Sequence, residues 1–173
     1  MRERKILNIP LIHISAIIIT VIASIMLSNL EYNYIHAEGL PYREVQPPTI
    51  GVFYYYHLGA IIPLIGLIAF FPFIYEALGK EKPREYLRMT LALGLASLFL
   101  GILLQDSLWF AYRMLAPIDL DPFAHQWIRP SDYTASMTGY VMIFGITVPL
   151  WYFTLIPPII AIYLALLITP RIG

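Results

Sequence analysis

The 173-residue sequence predicts an all-α integral membrane protein: a four-helix bundle of two antiparallel transmembrane hairpins, with a short interfacial helix in its outer loop. Three observations carry that expectation. Hydrophobic residues make up 59% of the chain and charged residues 13%, with a mean hydropathy of +0.71; soluble domains are about 45–50% apolar and about 25% charged. Four apolar runs reach the roughly 20 residues that a membrane-crossing helix needs. Lys and Arg gather at alternate ends of those runs.

The first run, about 9–30, follows Arg2, Arg4 and Lys5. It exceeds the roughly 7–15 residues of a signal-peptide core and offers no convincing small-residue cleavage site, so it reads as a retained anchor. The second run covers about 51–78 and the third about 88–112. The short 79–87 turn between them makes them antiparallel neighbours. The fourth, about 138–169, is too long for one straight span and carries Pro149, Pro157 and Pro158. It is expected to kink or to begin as an interfacial turn. The whole chain is read as a single four-span domain.

Arg2, Arg4, Lys5, Lys80, Lys82, Arg84, Arg88 and Arg171 lie at one set of ends; Arg43, Arg113 and Arg129 lie at the other. Positive-inside asymmetry then gives a multi-pass protein of the cell membrane with both termini cytoplasmic. The longer loops, about 31–50 and 113–137, face outward. They are rich in Tyr, Trp and Pro, the residues of a headgroup interface. Asp121 is placed to cap a short helix there, with Pro122 in its first turn and Pro130 at its end.

Small residues recur at helical spacing: Ala16, Thr20, Ser24 and Ser28 on the first run, Gly59 and Gly66 on the second, Gly94, Ser97 and Gly101 on the third. These are packing faces, since small side chains let helices approach closely in lipid. A formal net charge of +0 leaves no basic excess for nucleic acid. Without cysteine, disulfides, thiolate metal sites and a Cys nucleophile are excluded. No P-loop, GxGxxG or GxSxG occurs. Abundant Ile with scarce Asn and Gln resembles thermophile usage.

Ionisable groups inside a span are expensive and point to function by default. His13, His57, Glu76 and Asp106 are the ones to weigh. Glu76 precedes Lys80 by four residues, the spacing of a helical ion pair, and His13 reads as a hydrogen-bonded packing residue. Asp106 and His57 share a depth. Counting from Arg88 and from Glu76 puts them about 27 and about 28 Å along their helices, at ~1.5 Å per residue. Asp106 then has three possible partners: Arg113 reaching back two turns, a structural pair with His57, or a bound cation. His125 in the outer loop completes a two-His, one-carboxylate set. Imidazole and carboxylate suit a divalent Zn, Cu, Fe or Mn ion, so the metal-site candidates are His57, Asp106 and His125, with Arg113 orienting the carboxylate. The aromatic run Phe53-Tyr54-Tyr55-Tyr56, with Trp109, Phe110 and Tyr112, is either an interface belt or a pocket for a flat ligand such as a quinone.

The sequence therefore points to a small polytopic membrane protein with a His/Asp metal-binding or redox-linked site at its outer face. Two alternatives stand beside it. One is an oligomeric transporter or channel subunit that uses Asp106 for cation or proton coupling. The other is a structural subunit of a larger membrane complex. The expected partners are the lipid bilayer and either further copies of the chain or the other members of such a complex.

Overall fold

In the computed structural model, residues 5–6, 9–36, 49–50, 53–54, 57–78, 84–117 and 123–168 are described. The chain is mostly helical, and three of its helices are long and apolar enough to cross a membrane: Leu11–Asn33, His57–Tyr75 and Leu87–Leu115. In chain order come a two-residue strand pair, β1 (Lys5–Ile6) with β2 (Ile9–Pro10), then α1 (Leu11–Leu30), which runs on into a π-helical turn, Glu31–His36. A second short pair, β3 (Thr49–Ile50) with β4 (Phe53–Tyr54), precedes another π-helical turn, His57–Ile61, that opens α2 (Ile62–Leu78). After these come α3 (Arg84–Leu115), α4 (Tyr133–Thr138), the hairpin β5 (Tyr140–Ile143) and β6 (Ile146–Pro149), and α5 (Tyr152–Ile168). The Glu76–Lys80 pair, the Asp121–Pro122 cap and the terminal basic residues lie outside the described side chains.

The seam between α1 and α3 organises the helices. α1 is apolar all round, and its outward face of Ile18, Ile19, Ile22 and Met26 is exposed. What it buries instead is its small stripe: His13, Ala16, Thr20, Ser24 and Ser28. A helix that hides its small and polar residues and shows its large aliphatic ones is turned for lipid. The three hydroxyls each bond the carbonyl four residues back, at 2.7, 2.8 and 2.8 Å. Ser24 also reaches across to the Gly101 carbonyl at 3.1 Å, and Ser28 to the Gln105 carbonyl at 2.6 Å. At the opposite end of the seam, Thr90 Oγ1 lies 3.3 Å from His13 Nε2. These bonds satisfy in-protein the polar groups that lipid would leave bare.

α3 is central, with α1, α2 and α5 all packed on it. Its glycines are points of close approach. A methyl group added at Gly101 would run into Ile65 Cγ2 of α2, and into Thr20 Cγ2 of α1 at 2.9 Å. One added at Gly94 would strike the Phe70 ring at 2.7 Å.

The fourth run departs from expectation in its first third. The segment 138–169 is helical from Tyr152 only; residues 140–149 form an antiparallel hairpin with Tyr140 opposite Pro149 and Ile143 opposite Ile146. The cause is local. Val141, Ile143, Ile146, Thr147 and Val148 are β-branched and favour extended backbone, and Pro149 holds Val148 out of the helical region. Gly139 at φ 79° ends α4. Phe144 and Gly145, at φ 50° and 81°, make the two-residue turn, both positive as a type I′ turn requires.

The short helix expected over 121–130 is not formed in its described part. Residues 123–125 make a turn and 126–129 are irregular. His125 sits at φ 63°, and Pro130 has no N–H to return to the Gln126 carbonyl. The helix in this loop is α4, one turn and a half later.

Gly101→Ala is expected to lower stability by about 1–3 kcal/mol through overpacking between three helices. Gly59→Ala, with open space around it, is expected to stay within about 0.5 kcal/mol of wild type. Thermal unfolding in detergent micelles, followed by circular dichroism, reads both.

Candidate functional site

The buried face of α1 continues past its last serine. After 20, 24 and 28, the next position on that stripe is 31, and Glu31 is 5% exposed. On α3 the matching face runs Gly94, Ser97, Gly101, Gln105. The Gln105 side chain therefore meets Glu31, donating from Nε2 to Oε2. The other oxygen, Oε1, faces His57 Nε2 at 3.0 Å, from the turn that opens α2. Asp106 is one residue further along α3, about 100° around the helix, and so looks elsewhere. Its Oδ2 accepts a 2.6 Å bond from the Tyr152 hydroxyl at the start of α5. Thr134 of α4 also bonds it, and the Thr134 hydroxyl receives Trp151 Nε1–H at 2.7 Å.

His57, Asp106, Gln105 and Trp151 line one pocket, against an apolar wall of Ile61, Ile62, Ile65 and Ile102. Glu31 and His57 are both close enough to act on Asp106 electrostatically. Its internal space of about 20 Å³ suits a body the size of one water molecule. Next to Glu31 in sequence, the Tyr32 ring meets Trp109 of α3 edge to face at 5.3 Å, and Trp109 meets Phe110 at 4.9 Å.

Of the three expected ligands, His57 and Asp106 thus share a pocket. His125 does not line it: it is exposed, and its Nδ1 lies 3.3 Å from the Met114 carbonyl, eight residues or about 12 Å of helix beyond Asp106. Among the described residues no group of three or more His, Asp or Glu side chains is arranged to hold a metal ion. The side chains of Phe53 to Tyr56 lie outside the described ones. Glu31, the first residue of the outer loop expected over 31–50, belongs to the site. The signal for it was the four-residue stripe of α1 carried on by three.

Arg113 does not reach back to Asp106. It is 2% exposed and turns into the loop that follows α3. Its Nε donates to the Gln126 carbonyl at 2.9 Å and its Nη2 to the Trp127 carbonyl at 2.5 Å, while Nη1 and Nη2 grip Asp132 at 3.3 and 2.6 Å. The guanidinium also lies 4.9 Å from the centre of the Phe110 ring, close enough for cation–π attraction. Arg113 therefore takes the carbonyl that Pro130 leaves without a helical donor. Arg129 adds its own bonds to Asp132 at 3.1 and 2.7 Å, and a backbone N–H at 2.7 Å. Burial pushes the Asp132 carboxyl up, but the hydrogen bonds from Arg113 and Arg129 outweigh it and hold the group below the ordinary carboxylate range.

No family model, curated protein or solved structure matches the chain.

Because the Asp132 carboxyl is depressed in the folded state, its stabilising contribution is complete above the unfolded value of about 3.9 and is lost as pH falls through the folded value. Asp132→Asn is expected to destabilise by about 3–5 kcal/mol at pH 7, since it leaves the buried Arg113 charge without its carboxylate. The gap between variant and wild type should close as pH falls through the folded value of Asp132, which lies below the ordinary carboxylate range. Unfolding midpoints across pH, read from the Trp127 environment by fluorescence, check the slope.

Proposed function

We propose that this chain is a proton-handling membrane protein, the coupling subunit of a transporter or carrier, with its proton site at Glu31, His57 and Asp106. The observation that carries this is the meeting of three ionisable side chains from three separate helical segments: His57 and Asp106 line one pocket, and Glu31 bonds His57 at 3.0 Å at the same end of the apolar helices. Ionisable side chains at that depth mark proton and ion pathways. Histidine is the side chain whose charge changes most readily near neutral pH. The Glu31–His57 contact is one across which a proton can be shared, and Gln105 keeps the second Glu31 oxygen bonded whichever group holds it. Asp106, which lines the pocket with His57, is the acceptor for the next transfer, with Tyr152 fixing its orientation. Space for one water-sized body fits a proton carrier better than a hydrated ion or an organic substrate.

The proposal takes α5 as a fourth span. Its 17 residues extend about 26 Å, against a hydrocarbon thickness of about 30 Å. It also takes the site to lie at the outer face of the cell membrane with both termini cytoplasmic, a reading that the distribution of Lys and Arg supports. Four short spans enclose little on their own, so the path is completed by further copies or by a larger complex.

A divalent metal ion is the second candidate, favoured by the donor set itself: His57, Asp106 and Glu31 are ligand types for Zn, Cu, Fe or Mn. Binding there requires Glu31 to release its bonds to His57 and Gln105.

Reconstitution into vesicles loaded with a pH-sensitive dye separates these. A proton gradient should drive flux that Glu31→Gln or Asp106→Asn reduces to the level of protein-free vesicles. Flux indifferent to both substitutions sinks the proton proposal. Elemental analysis of the same preparations tests the metal: stoichiometric Zn, Cu, Fe or Mn in wild type that Asp106→Ala removes would establish it instead.

A further inference from the structure

The polar site makes no use of the tip of the β5–β6 hairpin. We propose that this tip, Ile143-Phe144-Gly145-Ile146, is seated in the headgroup–acyl boundary of the lipid bilayer and anchors the start of α5 at the membrane surface.

The first ground is an inverted pattern. A hairpin lying on a protein in water turns its apolar side chains inward and its polar ones outward. Here Thr147 is buried, its hydroxyl 3.3 Å from Met142 Sδ. Ile146 beside it is 51% exposed, as are Met142 at 56% and Phe144 at 102%. No charged residue occurs from Tyr133 to Thr169. Strands of four residues bury too little to hold such a surface in water.

The second ground is the turn residue. A type I′ turn selects Asn, Asp or Gly at its first central position. A bulky side chain at positive φ is an outlier there. Phe144 holds that position at φ 50°, with its whole ring directed outward. Turn chemistry disfavours this choice; a ring that enters lipid accounts for it.

The third ground is position. At the base of the hairpin, Leu150 N–H bonds the Gly139 carbonyl at 2.9 Å, and Trp151 leads directly into α5. Tyr140 and Trp151 at that base are the amphipathic aromatics of a membrane boundary. The tip is also continuous in chain with the exposed apolar face of α5, where Phe153, Ile160 and Leu164 stand out. A protein partner would ask for a polar rim around the apolar patch, and the described segment 133–168 that carries the hairpin holds no charged residue to form one. The open edges of a two-stranded sheet keep its backbone out of the hydrocarbon core. At the boundary, water satisfies those edges while the side chains reach into the acyl region.

The chain has no cysteine, so a single nitroxide can be placed at will. Phe144→Cys and Ile146→Cys would each be labelled in phosphatidylcholine vesicles, with Ser131→Cys in the charged loop as reference. Collision rates with molecular oxygen and with a water-soluble nickel chelate are then compared. At both tip positions the oxygen-to-nickel ratio should exceed the Ser131 reference several-fold. A ratio equal to that reference puts the tip in water and overturns the proposal. So does spin–spin broadening at the tip that dilution with unlabelled protein abolishes, since a second copy would then be the occupant.

Discussion

Ser24 and Ser28 each share their hydroxyl hydrogen between a carbonyl of α1 and one of α3, Gly101 or Gln105, and those cross-helix bonds fix how α1 is rotated against α3. The consequences run upward along both helices. With Ser28 locked on α3, the next stripe position, Glu31, must enter the same seam, and Gln105 is there to receive it. A rotation of α1 by one residue would turn Glu31 toward lipid and separate it from His57. The small side chains at Ala16, Thr20 and Gly101 make the close approach possible, and α2 exploits it by packing Ile65 against Gly101. In a medium without water, packing and hydrogen bonding of this kind replace the hydrophobic effect as the source of specificity.

Two charged clusters at this end of the molecule answer the same physical demand in different ways. Arg113, Arg129 and Asp132 form a closed set: six side-chain bonds tie the arginines to the carboxylate and to the loop carbonyls, and the Asp132 carboxyl is held below the ordinary carboxylate range. This is a structural clamp that ties the end of α3 to the loop before α4. Glu31, His57 and Asp106 are organised around neutral donors, Gln105 and Tyr152, and around an imidazole. The contacts of this cluster join carboxylates to an imidazole, an amide and a phenol, and a proton can move between carboxylate and imidazole. The aromatic chain of Tyr32, Trp109 and Phe110 ends against Arg113 and braces the first cluster.

Much of this was legible in the sequence. The three long helices follow from uninterrupted apolar runs, and the packing faces from small residues at four-residue spacing. Helical rise alone was enough to put His57 and Asp106 at one level, and they line one pocket. What escaped had identifiable causes. The hairpin at 140–149 was hidden because uncharged β-branched residues read equally as span or strand, and its turn carries Phe144 where Asn would have signalled it. The attraction of Arg113 to Asp132 rather than Asp106 depends on the path of a loop, which spacing along one helix cannot supply. Glu31 falls at the first position of the expected loop, although it is the next step of the α1 stripe. His125 looked like a third ligand by composition; its backbone turn carries it to the surface.

The central claim is that the Glu31, His57 and Asp106 cluster holds an exchangeable proton. Infrared difference spectroscopy of the reconstituted protein across a pH step tests it most directly, because a carboxyl group that gains a proton reports through its own C=O stretch. A carboxyl band that appears on acidification and disappears in Asp106→Asn or Glu31→Gln is the predicted result. The absence of any such band, or a band unaffected by both substitutions, would contradict the account.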